Sequence, residues 1–329
     1  MSLPFFRALV TGGAGFVGSH IVDRLVAENI EVLVLDDFSS GKLSNLGHSQ
    51  RTGKVKVIKG DINDRDLARS ALRDIEVVFH DAAIVSVQRS IAEPELTNRV
   101  NIAGTKNMIE ACADAGVKRF IFASSSAVYG DSKVLPRTEF SETSPISPYA
   151  FSKLEGEIIC RQFQELTGIE TIALRYFNIY GLRSTAKAYS GVINAMAQKI
   201  AANEKPMIFG DGKQSRDFIN VSDIVEANIL AAISNVSKAQ VFNVGTGKQT
   251  TILDLVSLES KILLGTTSID VDFKESLTGD VRHSWADITQ IKEKLGFRPR
   301  INLENGLQAY LKTIYIPAVE ENHRYNSKL

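Results

Sequence analysis

Short apolar segments alternate with amphipathic stretches along the first half of the chain. The apolar segments are rich in Val, Ile and Phe, and their length is typical of buried strands. The stretches between them place apolar residues three and four positions apart, which indicates helices. This alternation predicts an α/β fold with a doubly wound parallel sheet that is covered by helices on both faces. The predicted strands lie at residues 6–10, 31–35, 54–58, 76–80, 119–123 and 172–175.

The regular alternation ends near residue 178, and a length of 329 residues suggests two domains or one domain with a large insertion. In the second half the loops are longer, and short strands lie among helices without a regular order. We therefore predict a first domain at residues 1–178 and a smaller α/β domain at residues 179–329. A segment near residues 217–247 is expected to return to the main sheet.

The first predicted strand is followed by a glycine-rich turn and then by a helical pattern. Gly12 permits the tight turn, Gly15 lets the backbone approach a pyrophosphate, and Gly18 lets the helix pack close to the strand. The N–H groups at the start of the helix, at Phe16 and Val17, would bind the phosphates. A strand, a glycine turn and a helix in this order predict a Rossmann-type dinucleotide-binding domain.

Ligands of such sheets bind beyond the carboxyl ends of the strands. Asp36 ends the second predicted strand, roughly 20 residues after the glycines, where an acid binds the adenosine ribose hydroxyls. Because Asp36 would repel a 2′-phosphate, we predict NAD rather than NADP. The other predicted strand ends bring to the same crevice Asp61, Ile62, His80, Asp81, Ala82, Ala83, Ser124, Ser125, Ser126, Tyr176, Phe177 and Asn178. A short helix is predicted at residues 63–73, with Asn63 as its cap.

The overall charge is balanced, with 38 Lys and Arg against 38 Asp and Glu. Neither nucleic acid nor an anionic membrane is therefore an expected partner. The two cysteines, Cys112 and Cys160, are too few for a disulfide framework or a cysteine-based metal site, and no metal is expected. No signal peptide or membrane span is evident in the sequence, so we expect a cytoplasmic protein.

Tyr149 and Lys153 lie four residues apart in a helical pattern that follows Pro148. This spacing places both side chains on one helix face, with Cβ atoms about 5–6 Å apart. Lowering a tyrosine pKa from near 10 to about 7 takes roughly 4 kcal/mol. A lysine charge about 6 Å away, at an effective dielectric near 20, supplies roughly 3 kcal/mol. The positive nicotinamide ring would supply the rest, and Tyr149 would take a proton from an alcohol as hydride leaves the same carbon.

Three consecutive serines, Ser124, Ser125 and Ser126, end the fifth predicted strand. Their hydroxyls are able to hydrogen-bond the same substrate oxygen and to relay its proton. By themselves they are better explained as a polar exit from a strand. Together with the glycine turn, Asp36 and the Tyr149–Lys153 pair, they favour a catalytic site.

Four segments together resemble the extended short-chain dehydrogenase/reductases: the glycine turn, residues 124–130, the Tyr149–Lys153 pair and residues 174–178. Within this family the chain is similar to the UDP-hexose 4-epimerases over nearly its whole length. The resemblance implies a tightly held NAD, hydride removal from C4 of the sugar, and hydride return to the other face of a 4-keto sugar. Tyr149 would be the base. Lys153 would lower the pKa of Tyr149 and bind the NAD ribose, and Ser125 or Ser126 would hydrogen-bond the substrate oxygen.

The resemblance also implies further binding residues. Those for the cofactor are Gly12, Gly15, Phe16, Val17, Asp36, Asp61, Ile62, Ala82, Ala83, Asn101, Ser124, Tyr149, Lys153 and Tyr176. Those for the UDP-sugar are Ser86, Ser125, Tyr149, Asn178, Val192, Arg216, Asp280 and Ser284. A surface ion pair with Asp211 or Asp217 is the alternative role for Arg216, but a diphosphate favours a planar bidentate donor.

Ser284 precedes a Trp-Ala-Asp run, at the position that stands beside the sugar 2-substituent in the family. The small serine leaves room for an N-acetyl group, and residues 281–284 and 85–90 resemble the UDP-N-acetylglucosamine 4-epimerases. A small residue at this position also admits sugars without the N-acetyl group, so UDP-glucose and UDP-galactose are not excluded as substrates. One departure is Leu277, which stands where the family usually has an arginine for the diphosphate. Either Arg282 or Lys274 substitutes for it, or the diphosphate is held differently.

Four other functions share parts of this pattern. A nucleotide-sugar dehydratase usually has an Asp-Glu pair where this chain has Ser126-Ala127. A decarboxylase or a UDP-uronic acid epimerase would need a carboxylate-binding feature, and Ser86, Gln88 and Arg282 leave the uronic acid epimerase open. A non-catalytic NAD-binding regulator would not need Tyr149, Lys153 and the serines together. Helices near residues 101–115 and 152–164 are apolar on more than one face, which fits a homodimer and also fits burial within a monomer.

Overall fold

The computed structural model describes residues 3–184, 191–236, 239–276 and 281–315. Its strands are β1 (Arg7–Thr11), β2 (Glu31–Asp36), β3 (Val55–Lys59), β4 (Val77–His80), β5 (Arg119–Ser125), β6 (Glu170–Tyr176), β7 (Asn178–Tyr180), β8 (Met207–Phe209), β9 (Ser215–Arg216), β10 (Phe218–Asn220), β11 (Gln240–Val244), β12 (Thr250–Thr251), β13 (Asp272–Lys274) and β14 (His283–Ser284). Its α-helices are α1 (Phe16–Ala27), α2 (Gly47–Gln50), α3 (Arg65–Ala71), α4 (Val87–Ala92), α5 (Pro94–Asn98), α6 (Thr105–Asp114), α7 (Pro148–Thr167), α8 (Gly191–Ala201), α9 (Val221–Ile233), α10 (Ile252–Leu264), α11 (Thr289–Leu295) and α12 (Leu303–Ile314).

A seven-stranded parallel sheet forms the centre of the molecule, in the order β11-β6-β5-β4-β1-β2-β3. Alternate residues of its strands pack into two apolar layers, because successive side chains point to opposite faces. Val10 and Phe79 belong to one layer, and Leu9 and Val78 belong to the other. The predicted α/β fold of the Rossmann type is confirmed, and the six predicted strands lie within two residues of their expected bounds.

The strand order reverses at β1, which pairs with β2 on one side and with β4 on the other. The connections from β1 and β4 therefore leave the sheet in opposite directions, and a crevice forms between their carboxyl ends. The glycine turn follows β1 and the Ala82 loop follows β4, so both predicted cofactor segments lie at this crevice.

Strand β11 belongs to the second half of the chain but pairs in parallel with β6 at the edge of the main sheet. The other elements of this half form small sheets (β7 with β10, β12-β9-β14, and β8 with β13). Helices α8, α10 and α12 pack around a separate core that includes Ile193, Leu255 and Leu307. The domain boundary at residue 178 stays a prediction.

Helix α3 is capped by a different residue from the one that the sequence predicted. The predicted cap Asn63 is wrong, since the Asp64 carboxylate accepts the N–H groups of Asp66 and Leu67 and caps the helix. Asn63 instead donates its backbone and side-chain N–H groups to the Asp61 carboxylate. Among the helices in the described ranges, none has both the length and the hydropathy needed to cross a membrane.

Candidate active site

The glycine turn packs directly on the loop that follows β4. Gly12 has φ +66°, and a Cβ there would lie 2.7 Å from the backbone nitrogen of Ala82. A Cβ at Gly18 would lie 2.4 Å from the carbonyl oxygen of Gly12. Helix α1 begins at Phe16, so the N–H groups of Phe16 and Val17 have no acceptor within the helix and face the crevice end of β1. The turn fits a pyrophosphate, since it brings bare backbone and a helix N-terminus together.

Asp36 connects the end of β2 to the glycine turn. Its carboxylate accepts the N–H groups of Ala14 at 2.9 Å and Phe38 at 2.8 Å, and burial raises its pKa. Each carboxylate oxygen has a further lone pair, so Asp36 retains the capacity to accept ribose hydroxyls.

Asn101 supports the loop after β4. Its side-chain oxygen accepts the N–H of Ile84 at 2.8 Å, and its side-chain nitrogen donates to the Ile84 carbonyl and to the Ser152 hydroxyl at 2.9 Å. These bonds use both N–H groups of the Asn101 amide and one lone pair of its oxygen, and they fix the loop that carries the half-buried Ala82 and Ala83. Asn101 thus acts on the predicted cofactor site through this loop.

Four other predicted residues have local partners. Asp61 accepts the hydrogen bonds from Asn63, and Ile62 is buried with its carbonyl accepting the side chain of Asn107. Ser86 is the N-cap of α4, where its hydroxyl accepts the N–H of Arg89. His80 does not line the crevice: its ring is buried against Phe120 and Phe122 and hydrogen-bonds Thr11 and Thr105.

Tyr149 and Lys153 lie one turn apart near the start of α7, and both are buried. Ser147 caps this helix by accepting the N–H of Ala150. The Lys153 ammonium donates to the carbonyl of Ala123 at 2.7 Å. Burial lowers the pKa of Lys153 to about 8, so the ammonium remains largely protonated at neutral pH. The pair therefore sits against the end of β5, next to the serines.

Asp81 lies at the crevice, and the sequence pattern predicted no specific role for it. It follows β4, and its backbone N–H donates to the Thr11 carbonyl beside the glycine turn. Burial raises the pKa of Asp81 to about 7, while the charge of Lys153 opposes this rise. The Asp81 carboxylate in turn raises the pKa of Lys153, against the effect of burial. The interaction between Asp81 and Lys153 points to a role for Asp81 at the site, and a sequence pattern alone does not show that these two residues are close together.

The three serines have different surroundings. The Ser124 hydroxyl donates to Glu157, which forms a buried ion pair with Arg175 at 2.7 Å. Ser124 therefore ties β5 to α7 and β6 on the face away from the neighbouring Ser125. The Ser125 hydroxyl accepts the N–H of Ala127 at 3.1 Å, and Ser126 begins the 3-10 turn Ser126–Tyr129. Helix α7 packs against both β5 and this turn, which brings Ser125 and Ser126 toward Tyr149.

Tyr176 and Asn178 lie at the end of β6 and the start of β7. The Tyr176 hydroxyl accepts from the side chain of Asn228 at 2.8 Å, and burial raises its pKa well above the ordinary value. The Asn178 N–H donates to the carbonyl of Asp217, so β7 is joined to the strand region that carries Arg216.

The second half of the chain contributes a small sheet in which Ser284 of β14 stands opposite Arg216 of β9. The next pair in register is His283 and Ser215, whose side chains are 2.8 Å apart. Both Arg216 and Ser284 are half-buried, as is Val192 on α8. The sheet thus brings together two predicted substrate residues that are 68 positions apart in the sequence.

The acids near Arg216 have other partners. The Asp211 carboxylate pairs with both terminal nitrogens of Arg282 at 2.6 and 2.7 Å. The Asp217 carboxylate is buried and accepts N–H groups of Thr246, Gly247 and Ala286. Neither acid forms an ion pair with Arg216 within the described ranges. Of the two candidates to replace the family arginine, Arg282 is therefore held by Asp211, and Lys274 lies on the exposed strand β13. Leu277 and the predicted substrate residue Asp280 lie outside the described residues.

The model of the NAD dependent epimerase/dehydratase family matches residues 8–245. The chain belongs to this family, as its resemblance to the UDP-sugar epimerases among the extended short-chain dehydrogenase/reductases predicted, and NAD is its cofactor.

Three relatives illustrate the similarity. A putative UDP-glucose 4-epimerase of Methanocaldococcus jannaschii is 38% identical over 91% of this chain and 95% of its own length. The structure of a UDP-N-acetylglucosamine 4-epimerase from Methanobrevibacter ruminantium, in complex with UDP-N-acetylmuramic acid, is 40% identical with a TM-score of 0.88, covering 94% of this chain and 97% of its own. The structure of a UDP-glucose 4-epimerase from Thermotoga maritima with UDP-glucose is 36% identical with a TM-score of 0.87, covering 97% and 100%.

Decarboxylases belong to the same group of relatives. UDP-glucuronic acid decarboxylase 1 of Arabidopsis thaliana is 34% identical over 92% of this chain and 68% of its own length. Overall similarity therefore identifies an enzyme of the UDP-sugar epimerase group but leaves the sugar open.

Proposed function

We propose that this protein is an NAD-dependent 4-epimerase of UDP-hexoses. The observation that carries the proposal is the buried Tyr149–Lys153 pair on α7, which packs against the serine end of β5 beside the glycine turn. Relatives named as 4-epimerases cover nearly the whole chain and support the same reaction.

The residues of the crevice have distinct roles in this reaction. Bound NAD supplies the acceptor and donor of hydride. Tyr149 takes the proton from the sugar O4, and Ser125 or Ser126 hydrogen-bonds the same oxygen. The Lys153 ammonium, anchored on the Ala123 carbonyl, favours the ionised form of Tyr149. Tyr149 then returns the proton to O4 when the opposite face of the 4-keto sugar has been reduced.

The binding residues divide between the two halves of the chain. The cofactor contacts would come from the glycine turn, Asp36, the loop with Ala82 and Ala83, Asp61 and Ile62, with Tyr176 near the nicotinamide. The UDP-sugar contacts would come from Ser86, Asn178, Val192, Arg216, Asp280 and Ser284.

We favour UDP-N-acetylglucosamine and UDP-N-acetylgalactosamine as the substrate pair. Ser284 is small, and its pairing with Arg216 places it next to the proposed diphosphate ligand. UDP-glucose and UDP-galactose remain additional substrates, since an open position admits smaller groups. A UDP-uronic acid epimerase is the second candidate, which the uronic-acid enzymes among the relatives favour.

We also propose a homodimer formed through α6 and α7. The α7 residues Phe151 and Leu166 are 46% and 80% exposed, although both are apolar. Light scattering of the purified protein would test this assembly. A cytoplasmic location remains our expectation.

Product analysis tests the function. The protein is incubated separately with UDP-N-acetylglucosamine, UDP-glucose and UDP-glucuronic acid, and the 4-epimers are separated and quantified. Tyr149→Phe serves as the control that removes only the proposed base, and we expect its turnover to fall by roughly 10²–10⁴-fold while NAD stays bound.

Each outcome has a defined meaning. Epimers from both neutral sugars support the proposal, whereas an epimer from UDP-glucuronic acid alone selects the second candidate. A decarboxylated or dehydrated product contradicts the proposed reaction. Full activity of Tyr149→Phe contradicts the proposed mechanism.

A further inference from the structure

Arg137 is fully buried in the segment between the serine turn and α7. Its guanidinium donates only to backbone carbonyls: Nη1 to Val134 at 2.9 Å, and Nη2 to Gly130 at 3.5 Å and to His283 at 3.4 Å. Within the described ranges it forms no ion pair, and its Nε has no hydrogen-bond partner. Asp131 is the nearby carboxylate that favours its charge, but the two side chains form no direct ion pair. Burying a cation without a carboxylate in contact costs free energy, so a role other than stability would explain this arrangement.

The main chain of Arg137 binds the same segment as its side chain. The Arg137 N–H donates to the Trp285 carbonyl at 2.9 Å, and its carbonyl accepts the N–H of Asp287 at 2.7 Å. An isolated parallel bridge joins Arg137 to Ala286. One residue of the first half therefore holds residues 283–287 of the second half through three hydrogen bonds.

The carbonyls that Nη2 contacts lie at the two sides of the proposed site. Gly130 directly follows the turn Ser126–Tyr129, which carries the catalytic hydroxyl candidates. His283 directly precedes Ser284, which stands opposite Arg216. The forked guanidinium thus spans from the serine turn to the strand that carries the proposed sugar-facing residue.

We infer that Arg137 is a positioning residue that sets the distance between the serine turn and β14, and so aligns the sugar with Tyr149. This role in the reaction rests on the proposed function, whereas the structural link between the two segments does not. Arg137 itself does not touch the substrate, because it is fully buried beneath the two segments.

Arg137→Met is the main test variant, since it keeps a long side chain but removes every donor. Arg137→Lys keeps the charge without the planar fork. Lys133→Met is the matched control, because it removes a positive charge from an exposed position of the same segment.

Amide hydrogen exchange of the full-length, NAD-bound protein is the first measurement. We expect faster exchange at residues 283–287 in Arg137→Met, with the amides of β1 and α1 unchanged, and wild-type exchange in Lys133→Met. Unchanged exchange at residues 283–287 overturns the inference. Should Arg137→Met fail to fold, Arg137→Lys decides: partly accelerated exchange supports the role, and wild-type exchange overturns it.

Binding and turnover are the second measurement. We would measure binding of UDP and of UDP-N-acetylglucosamine by calorimetry. In Arg137→Met the affinity for UDP should be unchanged, and the affinity for UDP-N-acetylglucosamine should be roughly tenfold lower. Its kcat should fall further than its KM rises, and Arg137→Lys should recover part of the loss. An equal loss of affinity for both ligands overturns the role in sugar positioning. If the wild-type protein epimerises no sugar, the proposed function fails, and hydrogen exchange still decides whether Arg137 joins the two segments.

Discussion

The Lys153 ammonium shows how single residues determine the chemistry of this crevice. It is held by the Ala123 carbonyl and stands near the Asp81 carboxylate. Burial opposes its charge, and Asp81 supports it. Because Tyr149 lies one turn away, the charge of Lys153 is available to the phenolate.

Asp81→Asn should shift the pH dependence of turnover. The carboxylate raises the pKa of Lys153, so its removal lowers that pKa further below the present value of about 8. Lys153 then loses its proton at a lower pH, and the alkaline limb of the kcat/KM profile moves to lower pH. Asp272→Asn on the exposed strand β13 is the control and should leave the profile unchanged. A profile of Asp81→Asn that matches the wild type would show that the two charges are not coupled.

Ser284→Tyr should separate the two proposed sugars. A tyrosine ring on β14 would occupy the space expected for the N-acetyl group, while a 2-hydroxyl would still fit. We expect kcat/KM for UDP-N-acetylglucosamine to fall on the order of 10²-fold, with a much smaller loss for UDP-glucose. Steady-state kinetics with both sugars makes UDP-glucose the internal control. Equal losses on both would contradict a size-selective role for Ser284.

At the scale of elements, the contact between α1 and the glycine turn determines how closely the cofactor phosphates approach. Gly18→Ala would place a methyl group 2.4 Å from the Gly12 carbonyl oxygen, so the helix must move away from the turn. We expect a loss of about 1–3 kcal/mol in the free energy of unfolding and weaker retention of NAD. Urea unfolding and the amount of NAD that co-purifies measure the two effects.

Gly47→Ala is the matched control for this helix contact. Gly47 begins α2 with φ −58°, and a Cβ there would meet no atom within 4 Å. The free energy of unfolding of the Gly47→Ala protein should differ from that of the wild type by less than about 1 kcal/mol. A Gly18→Ala protein as stable as this control would contradict the close packing at the turn.

At the scale of the whole molecule, Glu259 links stability to pH. It lies on α10 in the core around α8 and α12, and neither carboxylate oxygen has a hydrogen-bond partner within the described ranges. Burial raises its pKa well above the ordinary value. The folded state therefore holds a proton that the unfolded state releases above a pH of about 4.3. The contribution of Glu259 to stability falls as pH rises, by up to about 1.4 kcal/mol per unit, until the folded pKa is passed.

Glu259→Gln should remove this dependence, because the amide stays neutral. We would measure urea unfolding of both proteins in steps of about one pH unit. The variant should gain stability relative to the wild type as pH rises from about 5 to about 8. Glu293→Gln, at an exposed position of α11, should track the wild type. A constant difference between Glu259→Gln and the wild type would mean that Glu259 is ionised in the folded protein.

The local features of the site were predictable from the sequence because they lie within one element or one connection. The strand–turn–helix order placed Gly12, Gly15 and Asp36, and the helical period placed Tyr149 and Lys153 on one face. The role of Ser124 was less predictable, because the sequence does not show which face of β5 packs against Glu157. Its hydroxyl binds that carboxylate, while Ser125 points the other way because strand residues alternate.

The sequence by itself determined the α/β class, the cofactor turn and the spacing of the proposed base and its lysine, because these depend on periods of a few residues. Only the tertiary structure decided that Asp81 lies near Lys153, that Ser284 stands opposite Arg216, and that Arg137 is buried between two segments. These relations join residues tens of positions apart. Strand order and packing of the second half on the first create them, and no local pattern encodes that arrangement.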